Sequence, residues 1–215
     1  PATDETPTYV LGVNASFYQG EAIISNASCT TNCLAPLAKI IDEEFGIQMG
    51  LMTTIHSYTN DQNLLDVAHR DFRRARAAAT NIIPTTTGAA RAIGRVLPRL
   101  EGRLHGQSVR VPVPDVSMID LNVVTEQPVT ADELNTVVCD RIERDFQGLV
   151  AIDRSYGVSQ DFIGCSASAI FVPDLTQSIG DHLVKVMAWY DNEWGYANRL
   201  LEMALHITHF NKESR

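Results

Sequence analysis

The sequence predicts an α+β fold, a largely antiparallel mixed sheet with helices packed on one face. Two observations lead there. Segments with apolar residues at helical spacing are separated by groups of strand-like segments rather than by single ones, which suits segregated layers and not a doubly wound parallel sheet. At 215 residues, with 45% hydrophobic and 20% charged side chains, the chain can bury a sizeable core and has an ordinary globular composition.

The elements follow in order. Residues 1 to 8 are polar and Pro-rich and read as a frayed end. TYVLGVN reads as a strand ending in a turn at Gly12 to Asn14, and EAIISNAS as a short strand running into a turn. From Cys29 to Phe45 the positions Leu34, Leu37, Ile40, Ile41 and Phe45 recur at helical spacing, with Ser28 as N-cap, Gly46 as stop and a bend expected at Pro36. GLMTTIHSY reads as a strand with His56 near its end. Residues 57 to 83 are polar and Arg-rich without periodicity; a loop that long is usually functional. TTTGAARAIGRVLP reads as a helix opening near Thr87-Gly88 and ending before Pro98. VRVPVP and VSMIDLNVVTEQ follow as strands. Thr130 and Glu133 stand at capping-box spacing before a helix running to Phe146. SASAIFVPDLTQ and HLVKVMAWYD are further strands, and Tyr196 to His209 is a last helix with Leu200, Leu201, Ala204, Leu205 and Thr208 on one side. His206 and His209 read as surface residues on it.

Bulk properties narrow the function. A net charge of -9 argues against nucleic-acid binding, which needs a basic surface. Local charge differs: Arg70, Arg73, Arg74 and Arg76 are followed by Arg91, Arg95, Arg99 and Arg103, a distribution suited to a small anionic ligand or to a solvated face. No apolar run reaches the roughly 18 residues of a membrane helix, so no membrane partner is expected. The start lacks the basic and apolar regions of a secretion signal and lacks an initiator Met, which suggests a processed or truncated chain. Cys29, Cys33, Cys139 and Cys165 are not spaced as a zinc site and are too sparse for a disulfide scaffold, so no metal and a cytoplasmic location are expected.

Three segments carry chemistry. SNASCTTNC puts Cys29 at the first turn of a helix, where backbone N–H groups and the dipole should lower the thiol pKa and stabilise an oxyanion. Cys33, one turn further in, reads as structural. Of the six histidines only His56 closes an apolar strand before polar residues, where a base for the thiol is expected. PTTTGAARAIGR offers Thr and Gly at a helix start, an anion site without a Walker pattern. Taken singly, each feature also has a plainer and commoner reading: a structural thiol, a hydrogen-bonded histidine, a simple cap. No G-x-G-x-x-G occurs in these 215 residues.

Together, SNASCTTNCLAP (25 to 36), HSYTNDQ (56 to 62), RRARAAATNIIPTTTGAA (73 to 90), RVPVPDVS (110 to 117) and WYDNEWGYANR (189 to 199) resemble the phosphorylating glyceraldehyde-3-phosphate dehydrogenase family from about Tyr9 to His206. The resemblance implies that Cys29 attacks an aldehyde and that His56 is the base. It implies that the thioester formed is attacked by inorganic phosphate. Thr59 and Arg110 would hold the phosphate of glyceraldehyde 3-phosphate. Ser28, Thr30, Thr87 and Gly88 would hold the attacking phosphate with an arginine of RRAR, Arg74 in preference to Arg73. Asn192 would orient the nicotinamide carboxamide of NAD or NADP, and Tyr196 would lie near the ring. Val67-Ala68 stands where NAD-restricted members tend to carry Leu-Pro, leaving NADP use open.

The same resemblance implies a division into a nucleotide-domain remnant (1 to 28), a catalytic domain (29 to 195) and a C-terminal helix (196 to 215) that would pack on a nucleotide-binding domain. The last helix should then expose its apolar face, the isolated chain should have little dehydrogenase activity, and the full-length protein should be a homotetramer. Erythrose-4-phosphate dehydrogenase is the nearest alternative, fitted less well by HSYTNDQ and TTTGAA. Aspartate-semialdehyde dehydrogenase is more distant, a papain-like hydrolase would have no use for the anion sites, and a truncated non-enzymatic binding or assembly module is the alternative of another class.

Overall fold

The computed structural model describes residues 1–2 and 4–213. Helix α1 (Cys29–Phe45) is the centre of the molecule. Its N-terminus is closed by the Ser28 hydroxyl, which accepts from the Thr31 N–H at 3.0 Å, and its C-terminus by Gly46, whose φ of 68° permits the N–H to reach the Asp42 carbonyl. Most of α1 is buried, and its Leu34, Leu37, Ile40 and Ile41 anchor the main core.

The sheet has strands β1 (Ile47–Ser57), β2 (Ile83–Thr86), β3 (Leu104–Val111), β4 (Ser117–Thr125), β5 (Val150–Ile152), β6 (Ala169–Phe171), β7 (Gln177–Ile179) and β8 (Leu183–Tyr190). Their order is β2-β3-β1-β4-β8-β6-β5, with β7 also paired to β8. The pairs β1–β3 and β5–β6 are parallel and the others antiparallel, a mixed and largely antiparallel sheet. Alternation assigns its faces. Met52, Ile119, Leu121, Val123, Val184, Val186 and Ala188 join the core with residues of α1, α2 (Ala89–Val96) and α3 (Ala131–Asp145). Met49, Leu51 and Leu183 are exposed on the sheet, where Lys185 also pairs with Asp120 at 2.9 Å. The helices thus cover one face.

Helix α3 begins with the expected capping box of Thr130 and Glu133. It is clamped to α1 by Arg141, which pairs with Glu43, Glu44 and Asp145. Helix α4 (Trp194–Glu213) packs Met203, Ile207 and Phe210 against Tyr9 and Tyr18, a second small cluster. Leu200, Leu201 and Leu205 on the same helix are exposed, at 48%, 63% and 51%. Residues 214 and 215 lie outside the described residues. His206 is half-buried rather than on the surface, its Nε2 3.0 Å from the Ala15 carbonyl.

Four local expectations need correction. TYVLGVN and EAIISNAS form no strands, only a single bridge between Thr8 and Ser25. The Asn14 side chain takes the Val10 N–H and Gly12 turns the chain at φ 76°, so the backbone is spent on a turn. SASAIFVPDLTQ is broken by a 3-10 turn at Pro173–Leu175 into β6 and β7. The strand read from VRVPVP starts earlier, at Leu104, and ends before Pro112. Two strands went unread: β5, only three residues long, and β2, at the sheet edge, where Pro84 is tolerated.

Candidate active site

The parallel pairing of β1 and β3 sets the site. Its register puts His56 beside Arg110 at the C-terminal ends of both strands. The preceding turn strains the entry to α1: Ala27 adopts φ 58°, a left-handed conformation, and its carbonyl is held by the Tyr196 hydroxyl at 2.9 Å. That turn delivers Cys29 as the first residue of α1, with its Sγ 3.7 Å from His56 Nε2. Behind the pair, the buried Tyr190 hydroxyl lies 2.8 Å from both the Thr30 and the Thr54 hydroxyls, and its ring meets the His56 ring edge-on at 5.9 Å.

The pair opens into a cavity of about 680 Å³. Ser28, Cys29, Thr30, His56, Arg74, Thr87, Gly88 and Arg110 all line it, so eight of the sequence-predicted site residues meet in one place. Arg74 reaches it with its Nε donating to Thr85 Oγ1 at 2.9 Å and its Nη2 to the Thr86 carbonyl at 3.1 Å, while Asp61 pairs with Nη1. Arg73 is exposed and does not line the cavity. Arg91 and Arg95, one helical turn apart on α2, extend the cationic wall outward. Four arginines around one cavity favour a multiply charged anion.

Three predicted residues lie elsewhere. Thr59 is past the end of β1, where the Gln62 N–H closes a turn on its carbonyl, and it lines a second cavity of about 390 Å³ with Tyr58, Asn60 and Glu193. Thr59 and Arg110, expected together around the substrate phosphate, thus line two different cavities. Tyr196 is spent on the Ala27 turn. Asn192 is buried, and its Oδ1 accepts from Ser57 Oγ at 2.9 Å and Ser117 Oγ at 2.7 Å, which leaves its amide nitrogen as the donor end. That nitrogen donates to Glu193 Oε1 at 3.3 Å. Sequence reasoning missed Tyr190, Ser57, Ser117 and Asp61, which touch the predicted residues only through the fold.

The expected lowering of the Cys29 pKa is overturned. Burial pushes the thiol up, against the Thr30 hydrogen bonds and the Arg110 charge, which act the other way. Desolvating a thiolate outweighs a helix-terminus contribution of about 1 kcal/mol. Burial, then the Arg110 charge, press the His56 pKa down to about 4, against its Ser57 hydrogen bond. Both shifts act toward the uncharged form of each group. Cys33 is fully buried, and burial holds its pKa well above the usual thiol range. All four cysteines are free.

Known proteins share this chain's sequence. A family model described as "Glyceraldehyde 3-phosphate dehydrogenase, C-terminal domain" matches residues 28–192. The chain belongs to that family. It is 52% identical to chloroplastic glyceraldehyde-3-phosphate dehydrogenase GAPA1 of Arabidopsis thaliana, over 95% of this chain and 52% of that protein. It is 54% identical to the glyceraldehyde-3-phosphate dehydrogenase of Mycobacterium bovis, over 94% of this chain and 60% of that protein. Against the Helicobacter pylori enzyme of the same name it is 52% identical, over 95% of this chain and 61% of that protein. The chain thus spans between half and two thirds of the length of these relatives.

Proposed function

We propose that this family member is the catalytic domain of an NAD(P)-dependent phosphorylating glyceraldehyde-3-phosphate dehydrogenase. The observation that carries the reading is the Cys29–His56 pair at 3.7 Å inside a cavity walled by Arg74 and Arg110. As Cys29 Sγ attacks the aldehyde carbon, His56 Nε2 takes the thiol proton and passes it to the carbonyl oxygen, giving a thiohemiacetal. His56 takes the hydroxyl proton back as the carbon is oxidised to the thioester. A bound nicotinamide supplies the hydride acceptor. Of the residues here, Asn192 would hold its carboxamide, and the dinucleotide would be held by residues outside these 215, in a homotetramer. Inorganic phosphate then attacks the thioester carbon. The C–S bond breaks, the sulfur recovers its proton from His56, and the acyl phosphate 1,3-bisphosphoglycerate leaves. Arg74, Thr87 and Gly88 suit the attacking phosphate, and Arg110 the substrate phosphate. The four free cysteines suit a reducing compartment such as the cytoplasm.

The test is the phosphate dependence of the whole protein. A Cβ at Gly88 meets nothing within 4 Å and the residue's φ of -88° suits any side chain, so Gly88→Ala should fold normally. Gly88 lines the cavity, and an added methyl there meets open space. The variant should raise KM for inorganic phosphate several-fold and leave KM for the aldehyde unchanged, while Cys29→Ser should abolish turnover. Turnover surviving in Cys29→Ser would defeat the reading.

A further inference from the structure

We propose that the hydroxyl of Ser108 is a ligand for inorganic phosphate at the floor of the arginine-walled cavity, and that it sets the cavity's affinity for that anion. The inference rests on the proposed reading of the cavity as an anion site. Its foundation is one buried donor with nothing to bond. Ser108 lines the cavity, is 2% exposed, and its Oγ is buried with no hydrogen-bond partner.

The sheet places the residue there. Alternation along β3 puts Gly106, Ser108 and Arg110 on one face. That face is the one α2 covers, since a Cβ built on Gly106 would lie 3.1 Å from the Ala90 Cβ. Register sets Ser108 beside Thr54 of β1 and Thr85 of β2. Neither neighbour takes up its hydroxyl. Thr54 Oγ1 is engaged with the Tyr190 hydroxyl at 2.8 Å, and Thr85 Oγ1 donates to Asp71 Oδ2 while accepting from Arg74 Nε. A buried hydroxyl without a partner destabilises a fold, and alanine would fill the same space without that cost. A ligand in the cavity gives the oxygen its partner.

The surroundings select an anion as that partner. The cavity lining holds Arg74, Arg91, Arg95 and Arg110 and, among the described residues, no carboxylate. Thr87 and Gly88, also in the lining, lead into α2, and a helix start turns N–H groups and the positive end of its dipole toward an anion. A tetrahedral anion held between that start and Arg110 lies over Ser108 and presents it with a charged oxygen. The serine proton rotates to suit its acceptor, and a hydrogen bond to a charged oxygen is about twice as strong as one to water. Ser108 therefore favours phosphate over a water molecule at this end of the cavity.

The experiment compares Ser108→Ala with the parent in two measurements. The first takes urea midpoints of the 215-residue chain in inorganic phosphate and in chloride at matched ionic strength, which gives the phosphate affinity by linkage. The second takes KM for inorganic phosphate and KM for the aldehyde in the whole protein. The expected result is a phosphate affinity about tenfold weaker in the variant, the loss of one hydrogen bond to a charged acceptor. The phosphate KM should rise to match, with the aldehyde KM unmoved. In chloride the variant should be no less stable than the parent. Phosphate that stabilises both proteins equally overturns the role of Ser108 and leaves the anion site standing. Phosphate that stabilises neither overturns both. A variant less stable in chloride shows the hydroxyl bonded inside the protein and overturns the proposal, as does a rise in both KM values together.

Discussion

Replacing His56 by glutamine should flatten the acid limb of the stability curve. His56 is 5% exposed, and its pKa is pressed down to about 4 by burial and by the Arg110 charge. An unfolded histidine titrates near 6.5. Between those values the unfolded chain binds a proton that the folded chain refuses, so folding loses free energy as pH falls through the window. The contribution is intact above about pH 6.5 and is gone near pH 4. Converted at about 1.4 kcal/mol per pH unit, the separation amounts to about 3 kcal/mol. The carboxyls of Asp61, Asp71 and Asp145 are held below their ordinary value, so they titrate beneath this window and do so alike in both proteins. Glutamine keeps the bulk and an amide without the titration. Urea unfolding from pH 7 down to about pH 4 should show the parent losing about 3 kcal/mol more than His56→Gln. Parallel curves for the two proteins would refute the assignment of a buried neutral imidazole.

Three other perturbations test other parts of the molecule. Iodoacetamide at neutral pH should alkylate Cys29, which opens on the cavity, well ahead of the fully buried Cys33; mass spectrometry showing equal rates would contradict the placement of both thiols. Asn192→Ala removes the acceptor of the Ser57 and Ser117 hydroxyl protons and should cost about 1–3 kcal/mol in chemical denaturation, whereas Asn192→Asp keeps the acceptor and should cost less; an unchanged midpoint in the alanine variant would count against this network. Arg141→Met removes the ion pairs to Glu43 and Glu44 that join α3 to α1, while Asp145 keeps its pair with Arg144. After discounting for their exposure the loss should be about 1–2 kcal/mol and should shrink in high salt; a loss indifferent to salt would point to lost packing instead.

What could be read in the residues alone is what local chemistry dictates. Helix α1 follows from its apolar spacing, the Ser28 cap and Gly46, and α3 from Thr130 and Glu133, because a cap and the turn it closes lie within a few residues of each other. The nucleophile and its base were legible for the same reason: Cys29 announces itself by its helix start and His56 by its strand end. Strands β2 and β5 were not, since three or four residues make a strand only when a distant neighbour pairs with them. The site divides along the same line. The sequence by itself determined which groups could do chemistry, and the tertiary structure decided their charge state and company. The parallel register of β1 and β3 brings Arg110 onto His56, and Tyr190 reaches Thr30 across 160 residues. Burial then turns the shift expected of the Cys29 thiol pKa upward. Solvation depends on everything folded around a group, and no stretch of sequence beside Cys29 carries that information.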